Sequence, residues 1–458
     1  MMMNSKPIVI NRSKEYKDAV PGSDLHAAAT RAAKQRSERL QDAFTSWALN
    51  GDPDRRERLI TEYNWRFNAT VAPSYDGSHR SFPGLGTTYA PYAYQRNAVE
   101  RIVNEPSVLL NHVVGAGKTG TMLMGAMELK RLGLVKQPWI VVPNHIVDQV
   151  SREAAQWYPA ARILSGAGRT DAQERQKLLA HSASQDWDMV IVPMSAFTRM
   201  KTSAETRASF MEDQVQTLMA TLLETKAEGQ SRSIKQIQTA LLQAQTRYEK
   251  ALDASGKDAG LTFEQSGADY LFIDEAHLYK NLARNSSIQE LSHPGSDQAM
   301  DLKLKLDYLR DRKRQEAEAA GVPADAYVER VATFATGTPV ANSLAELFVM
   351  QSYLRPDMLE HAEVATIDAW GTNFTETVES VELNAAGTQL RSVTRVGQFA
   401  NVGDLVGMVA QFSDVVTRDD VPANLPTLRT GRNIVVDFEP GQEVKDFIQD
   451  LGHRADTF

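Results

Sequence analysis

The spacing of apolar positions changes character along the chain. Between about residues 24 and 70 it is helical: Ala27, Ala28, Ala32 and Ala33 lead into Leu40, Phe44 and Trp47, and Leu59, Ile60, Tyr63 and Phe67 share one face. A turn-rich connector follows, Pro73-Ser74-Tyr75-Asp76-Gly77 through Pro83-Gly84-Leu85-Gly86, and reads as a boundary. From about 90 to 200 short apolar runs alternate with helical stretches. Ser107-Val108-Leu109-Leu110, Trp139-Ile140-Val141-Val142 and Met189-Val190-Ile191-Val192 read as strands, with helices over 119–132 and from about Asp148. Such alternation is the rhythm of βαβ units and predicts a parallel sheet.

Residues 203–256 break that rhythm. Val215, Leu218, Met219, Leu222 and Leu223 form one helical stripe, Ile234, Ile237, Leu241 and Tyr248 another, with Glu228-Gly229 between them. This reads as an antiparallel helical hairpin inserted into the sheet domain, a docking arm without chemistry of its own. Strands resume at Tyr270-Leu271-Phe272-Ile273 and Val331-Ala332-Thr333-Phe334. Between them, 301–320 reads as a charged helix whose basic residues, Lys303 through Arg314, suggest a solvated face, with a DNA track as the alternative. After about 345 come a helix, a polar segment and a last strand-like run, Asn433-Ile434-Val435-Val436.

Composition narrows the chemistry. There is no cysteine, which excludes disulfides, a thiol nucleophile and thiolate zinc sites and fits a cytoplasmic location. The nine histidines are scattered and suggest no metal cluster. No run of about 18 apolar residues occurs and the first twenty residues lack the build of a secretory signal, so no membrane partner is expected. A net charge of −8 argues against bulk electrostatic binding to nucleic acid but allows a local basic track.

Three motifs carry chemistry. His112-Val113-Val114-Gly115-Ala116-Gly117-Lys118-Thr119 lies between a predicted strand and a predicted helix, the context of a phosphate-binding loop. Gly115, Ala116 and Gly117 would turn backbone amides toward phosphate oxygens, Lys118 would neutralise the β- and γ-phosphates, and the Thr119 hydroxyl would hold Mg²⁺. The strict pattern begins with glycine where this chain has His112. Asp274-Glu275-Ala276-His277 closes an apolar strand, where open parallel sheets bind ligands. Asp274 would reach Mg²⁺ and Glu275 would polarise the attacking water. Thr336-Gly337-Thr338-Pro339 follows a further strand.

In this order the motifs resemble those of superfamily two helicases, and among them the Swi/Snf-type translocases. The resemblance implies that Gln95, after Tyr94, reads the adenine of ATP. It implies that Pro143 and Asn144, with Gln149, form one DNA-contact motif and that Ile191-Val192-Pro193-Met194-Ser195 forms another. Thr336, Gly337 and Thr338, continuing through Ala341-Asn342 to Glu346-Leu347, would couple nucleotide state to DNA together with His277. Val416-Thr417-Arg418-Asp419-Asp420-Val421 before Leu425-Pro426 is similar to the exit from a first motor lobe.

A narrower resemblance rests on Phe44-Thr45-Ser46-Trp47, Tyr63-Asn64-Trp65-Arg66-Phe67-Asn68, Tyr75-Asp76-Gly77-Ser78-His79, Asn111-His112 and Asn144-His145. As a set these are similar to large phage and plasmid proteins that join a DNA adenine methylase to a Swi/Snf-like helicase, including Dar-type anti-restriction proteins. His112 fits that subgroup. No Asn/Asp-Pro-Pro-aromatic methylase motif occurs, so methyl transfer is not assigned to this chain.

The expected fold is therefore α/β: a RecA-like parallel sheet flanked by helices, a P-loop NTPase. A helical flank and connector would occupy 1–85 and the ATP-binding lobe 86–345. A helical extension and linker over 346–458 would lead toward a second RecA-like lobe that the sequence lacks. Without that lobe's arginine, worth roughly 10³-fold or more in rate, the isolated chain should bind Mg²⁺-ATP and duplex DNA and hydrolyse poorly. It reads as a fragment or split gene product. Two other readings stay open: a non-hydrolysing nucleotide- or DNA-docking module, and an RNA-directed helicase.

Overall fold

The computed structural model describes residues 50–67, 73–168, 171–227, 260–286, 288–323, 326–340, 343–383, 390–421 and 441–456, with scattered positions in 36–47 and 238–246. The chain separates into two compact units: residues 72–373 with 405–421, and residues 1–71 with 374–404 and 422–458.

The first unit is built on a parallel sheet. Its strands are β1 (Ser107–His112), β2 (Pro138–Val142), β3 (Ile163–Ser165), β4 (Met189–Pro193), β5 (Tyr270–Ile273), β6 (Ala332–Thr336) and, numbered in chain order, β9 (Ser413–Val416). They lie in the order β3-β4-β2-β5-β6-β1-β9, every pairing parallel. The central strands are near-continuous apolar runs because helices cover both faces. Alternate side chains go to opposite sides. Leu109, Val141, Val192, Ile273 and Phe334 pack with Leu302, Leu306, Met350 and Tyr353, on the helices Asp297–Ala319 and Ala345–Leu354. Leu110, Ile140, Ile191 and Phe272 pack with Met122, Leu123 and Ala126 of the Lys118–Arg131 helix. Removal of each such Val, Leu, Ile, Phe or Met side chain from water stabilises the fold by about 1.5–3 kcal/mol.

Register is what positions the site. Asn111 of β1 pairs with Thr336 of β6, and Ile273 of β5 with Phe334 of β6. The three strands that end in the three sequence motifs are thus neighbours, β5-β6-β1, and finish at one edge of the sheet.

The structure differs from the sequence reading in four places, the first being the three-residue strand β3 beside β4, too short to show a pattern. The sheet gains β9, beyond residue 345, on the far side of β1. Four residues with an intermediate burial pattern carry too little apolar periodicity to read as a strand. The polar segment of the expected helical extension and linker contains an antiparallel ribbon, β7 (Thr375–Leu383) with β8 (Leu390–Phe399), in the second unit. Its sequence, Thr-Glu-Thr-Val-Glu-Ser-Val-Glu-Leu, mixes polar residues at both parities, so the period-two signal of a half-buried strand is weak. The basic helix also turns charge inward. Lys305 is fully buried and donates to Asp301 at 2.7 Å and to the Phe197 carbonyl at 2.6 Å, while Arg310 donates to the Tyr353 carbonyl. Those two cations anchor the helix rather than face solvent.

The first arm of the expected hairpin is a helix, Ala204–Ala227. Most of the second arm, the run 433–436, and the calls at 24–35, 341–342 and 425–426 lie outside the described residues. The connector lies along the Ala93–Asn104 helix, where Gly77 N–H donates to Asn97 and the Arg96 guanidinium to the Arg80 carbonyl. The helix Pro53–Phe67 belongs to the other unit. Among the described residues no helix is long and apolar enough to cross a membrane.

Candidate functional site

The loop read from the sequence as phosphate-binding leaves β1 through two left-handed glycines, Gly115 at φ 89° and Gly117 at φ 72°. Both lie where a side chain would strain the backbone. Gly117 is also the N-cap of the Lys118–Arg131 helix, so unsatisfied first-turn amides and the positive end of the helix dipole meet at the loop. Ala116 is buried and its carbonyl accepts from the Tyr94 hydroxyl at 3.1 Å. Lys118 and Thr119 open the helix, both half-buried, and Lys118 Nζ donates to the His112 carbonyl at 3.0 Å.

Gln95 sits beneath this loop. It is buried; Nε2 donates to the Gly117 carbonyl at 3.1 Å, and Oε1 accepts from Tyr92 N at 2.9 Å. One end of the amide braces the loop while the other caps the start of its own helix at Tyr92, a role that sequence spacing alone could not reveal.

Across β6, Asp274 ends β5 with its carboxylate buried, one oxygen accepting from Glu275 N at 2.9 Å. Burial pushes its pKa up to about 6; the Glu275 charge adds to the rise and the Lys118 cation opposes it. Glu275 takes the left-handed conformation, φ 46° and ψ 47°, a sharp turn that costs a non-glycine residue about 1–3 kcal/mol. Its carboxylate lies 3.1 Å from His277 Nδ1, and that nitrogen is also 3.2 Å from Thr336 Oγ1. Thr336 Oγ1 in turn accepts from Thr338 N at 3.1 Å. A polar chain therefore runs from the acidic pair through His277 to the turn after β6. Gly337 passes the His112 carbonyl so closely that a β-carbon there would sit 3.3 Å from it. The sequence-predicted groups Lys118, Asp274, Glu275, His277 and Thr336–Thr338 are thus brought together at three adjacent strand ends.

The other predicted residues lie further along the same edge. Pro143 is buried at the end of β2, and Asn144 is exposed and accepts from Ser195 N at 3.1 Å. They line a cavity of about 550 Å³ with Met194, Arg199 and Leu278. His145, also exposed, lines it too.

Sequence reasoning missed two groups behind the loop. His112 Nε2 lies 2.7 Å from Asp414 Oδ2 on β9, and Arg101 NH1 lies 3.9 Å from Asp414 Oδ1. These partners are about 300 positions apart in the chain; only the histidine in a glycine's place hinted at them.

Comparison with known proteins places these residues in a family. A family model described as "Probable helicase domain" matches residues 102–417, and a domain of unknown function, DUF8437, matches residues 1–69. The Defense against restriction protein B of Escherichia phage P1 is 22% identical over 428 residues, which span 83% of this chain and 18% of that protein. Among solved structures, the Sulfolobus solfataricus SWI2/SNF2 ATPase core in complex with dsDNA is 12% identical, with TM-score 0.34 over 64% of this chain and 40% of that one. The same core domain on its own gives 12% identity and TM-score 0.35 over 76% and 50%. The family match covers more than half of the chain and takes in every strand of the parallel sheet, so the chain belongs to the family described as "Probable helicase domain".

Proposed function

We propose that the chain is the ATP-binding lobe of a DNA translocase, using Mg²⁺-ATP turnover to drive movement along duplex DNA. The observation that carries this reading is the meeting of Lys118, Asp274, Glu275 and His277 at the ends of β1 and β5, with Thr336 between them on β6.

Two left-handed glycines, a helix N-terminus and a lysine form a cradle for an anion with several oxygens. The residues also fit a magnesium ion. Thr119 and Asp274 would hold it, and when bound it would neutralise charge on the phosphates. Burial raises the Asp274 carboxyl to about 6, and a cation bound beside it would favour its charged form. Glu275 would orient and polarise the attacking water, with His277 fixing its carboxylate and linking it to Thr336. Gln95 would set the loop's height beneath the adenine side.

Pro143, Asn144 and Ser195 would contact the nucleic acid along the neighbouring groove. Duplex DNA is the proposed track because these positions resemble DNA-contact motifs, and a relative named for defence against restriction agrees with a DNA-directed role. The chain spans a small part of that relative, and a second RecA-like lobe in such longer proteins would supply the arginine that speeds transfer.

The test is ATP binding and turnover, with and without duplex DNA, for the natural chain and Glu275→Gln. Expected is binding in both, with DNA-stimulated turnover lowered at least about 100-fold in the variant. Binding without turnover in either would favour a docking module completed by another polypeptide. Preference for structured RNA over duplex DNA would overturn the track, and absence of ATP binding would overturn the whole reading.

A further inference from the structure

His112 occupies the position at which the phosphate-loop pattern begins with glycine. Its backbone is not among the positive-φ residues, so the turn does not require glycine there. The imidazole points away from the loop, into a fully buried position against β9. Its one hydrogen-bond partner is the Asp414 carboxylate at 2.7 Å; Nδ1 has none among the described residues. Asp414 is held from its other side by Arg101, which also donates to the Ala410 carbonyl and stacks 5.1 Å above the Tyr75 ring. The main chain of the same histidine accepts from Lys118 Nζ at 3.0 Å, and the next residue, Val113, donates to the Val416 carbonyl at 2.9 Å. One residue therefore holds the loop's cation with its carbonyl and the last strand of the sheet with its ring.

We propose that His112 is a positioning residue that ties the state of Lys118 to the placement of β9, with Asp414 as its clamp. The proposal rests on the nucleotide reading given above. When Lys118 turns to a phosphate it releases the His112 carbonyl, and an uncompensated carbonyl at a buried strand end must find a new donor or shift. The ring, fixed through Asp414, passes that shift to β9 and to the turn that follows, where Asp420 accepts from Thr417 N at 2.8 Å. Phosphate binding and strand placement then share one coupling free energy, so each biases the other.

Hydrogen exchange of the full chain, with and without Mg²⁺ and a non-hydrolysable ATP analogue, tests this. In the natural chain the analogue should slow exchange together at residues 113–119 and 413–417. His112→Gly should keep the first response and lose the second. His112→Gln, whose amide can still donate to Asp414, should keep both. Asp414→Ala should repeat the glycine result, and serves as the second variant if glycine prevents folding. A merely structural latch would instead speed exchange at β9 by the same factor with and without the analogue, so that the analogue still slows exchange there in the variants, and that result overturns the proposal. So does a coupled response that persists in both His112→Gly and Asp414→Ala, or a natural chain that responds at 113–119 alone. A natural chain with no response at 113–119 overturns the nucleotide reading, and the latch falls with it.

Discussion

The phosphate end of the sheet and the groove beside it are made of the same parts, strand ends followed by turns, yet they are built to different tolerances. At the phosphate end two glycines and one glutamate adopt left-handed backbone, burial raises the pKa of a carboxylate to about 6, and side chains are joined in series from Glu275 to Thr338. At the groove Asn144 and His145 are exposed, and the contact that joins its two walls is a hydrogen bond to the Ser195 main chain. A site that must stabilise developing charge needs groups fixed before the substrate arrives. A surface that slides past a repeating backbone needs shape and a few donors, and rigidity there would only make release slower. The contrast makes strong predictions for the first region and weak ones for the second.

The largest effect should come from Lys118→Ala. On the proposed reading the cation would meet phosphate oxygens through charge-assisted hydrogen bonds worth about 3 kcal/mol, so ATP affinity should fall by about 100-fold or more. The fold should survive, because among the described residues the hydrogen bond the cation loses is the one to the His112 carbonyl. Isothermal titration with ATP, beside a thermal melt, checks both halves. Unchanged affinity would remove the phosphate-loop assignment and reduce this end of the sheet to an ordinary strand turn.

Asp274→Asn should separate stability from activity. A carboxyl with its pKa raised by burial from 3.8 to about 6 destabilises the folded state wherever it is ionised, fully above pH 6 and not at all well below 3.8. Asparagine keeps the oxygen that accepts from Glu275 N and removes the charge. The variant should therefore be more stable than the natural chain by up to about 3 kcal/mol at pH 7.5 without nucleotide, the gain shrinking to about 1 kcal/mol near pH 4.5. Denaturant unfolding at the two pH values reads this directly. The same substitution should abolish the Mg²⁺ dependence of ATP binding. In the natural chain that dependence should fade as pH drops through 6, with about a tenth of the carboxylates ionised at pH 5. Equal stability of the two chains at pH 7.5 would mean that Asp274 is not held in the strained state described here.

The same contrast explains what the sequence disclosed. The phosphate end was legible because its physics constrains residue type at fixed spacing: Gly115 and Gly117 for positive φ, an apolar run ending in Asp274-Glu275, and strands dense enough in Val, Ile and Leu to mark a two-sided sheet. The groove was legible only through family resemblance, since Pro143, Asn144 and Ser195 are ordinary residues for a strand end. What stayed hidden depended on distant partners or weak periodicity. Nothing near His112 announces Asp414, the strand β9 is four residues long, and the β7-β8 ribbon carries polar residues at both parities. Lys305 and Arg310 looked like solvent-facing charges because their acceptors are Asp301, a neighbour on the same helix, and the carbonyls of Phe197 and Tyr353.

The smallest effect, and the one that sharpens the comparison most, belongs to Asn144→Ala. The lost bond to Ser195 N is neutral and exposed, so folding stability should change by less than about 1 kcal/mol and ATP affinity should not change. Duplex affinity should fall roughly fivefold, the worth of one polar contact of about 1 kcal/mol. Ser195→Ala supplies the control, because the bond to Asn144 uses the Ser195 main chain and survives the change. A fluorescence anisotropy titration with a labelled duplex distinguishes the cases. If Asn144→Ala weakens binding and Ser195→Ala does not, Asn144 acts by holding the groove open or by its own contact, and the Ser195 hydroxyl is idle. If either variant lowers ATP affinity as well, the two regions are not separable, and the groove is held to the same tolerance as the phosphate loop beside it.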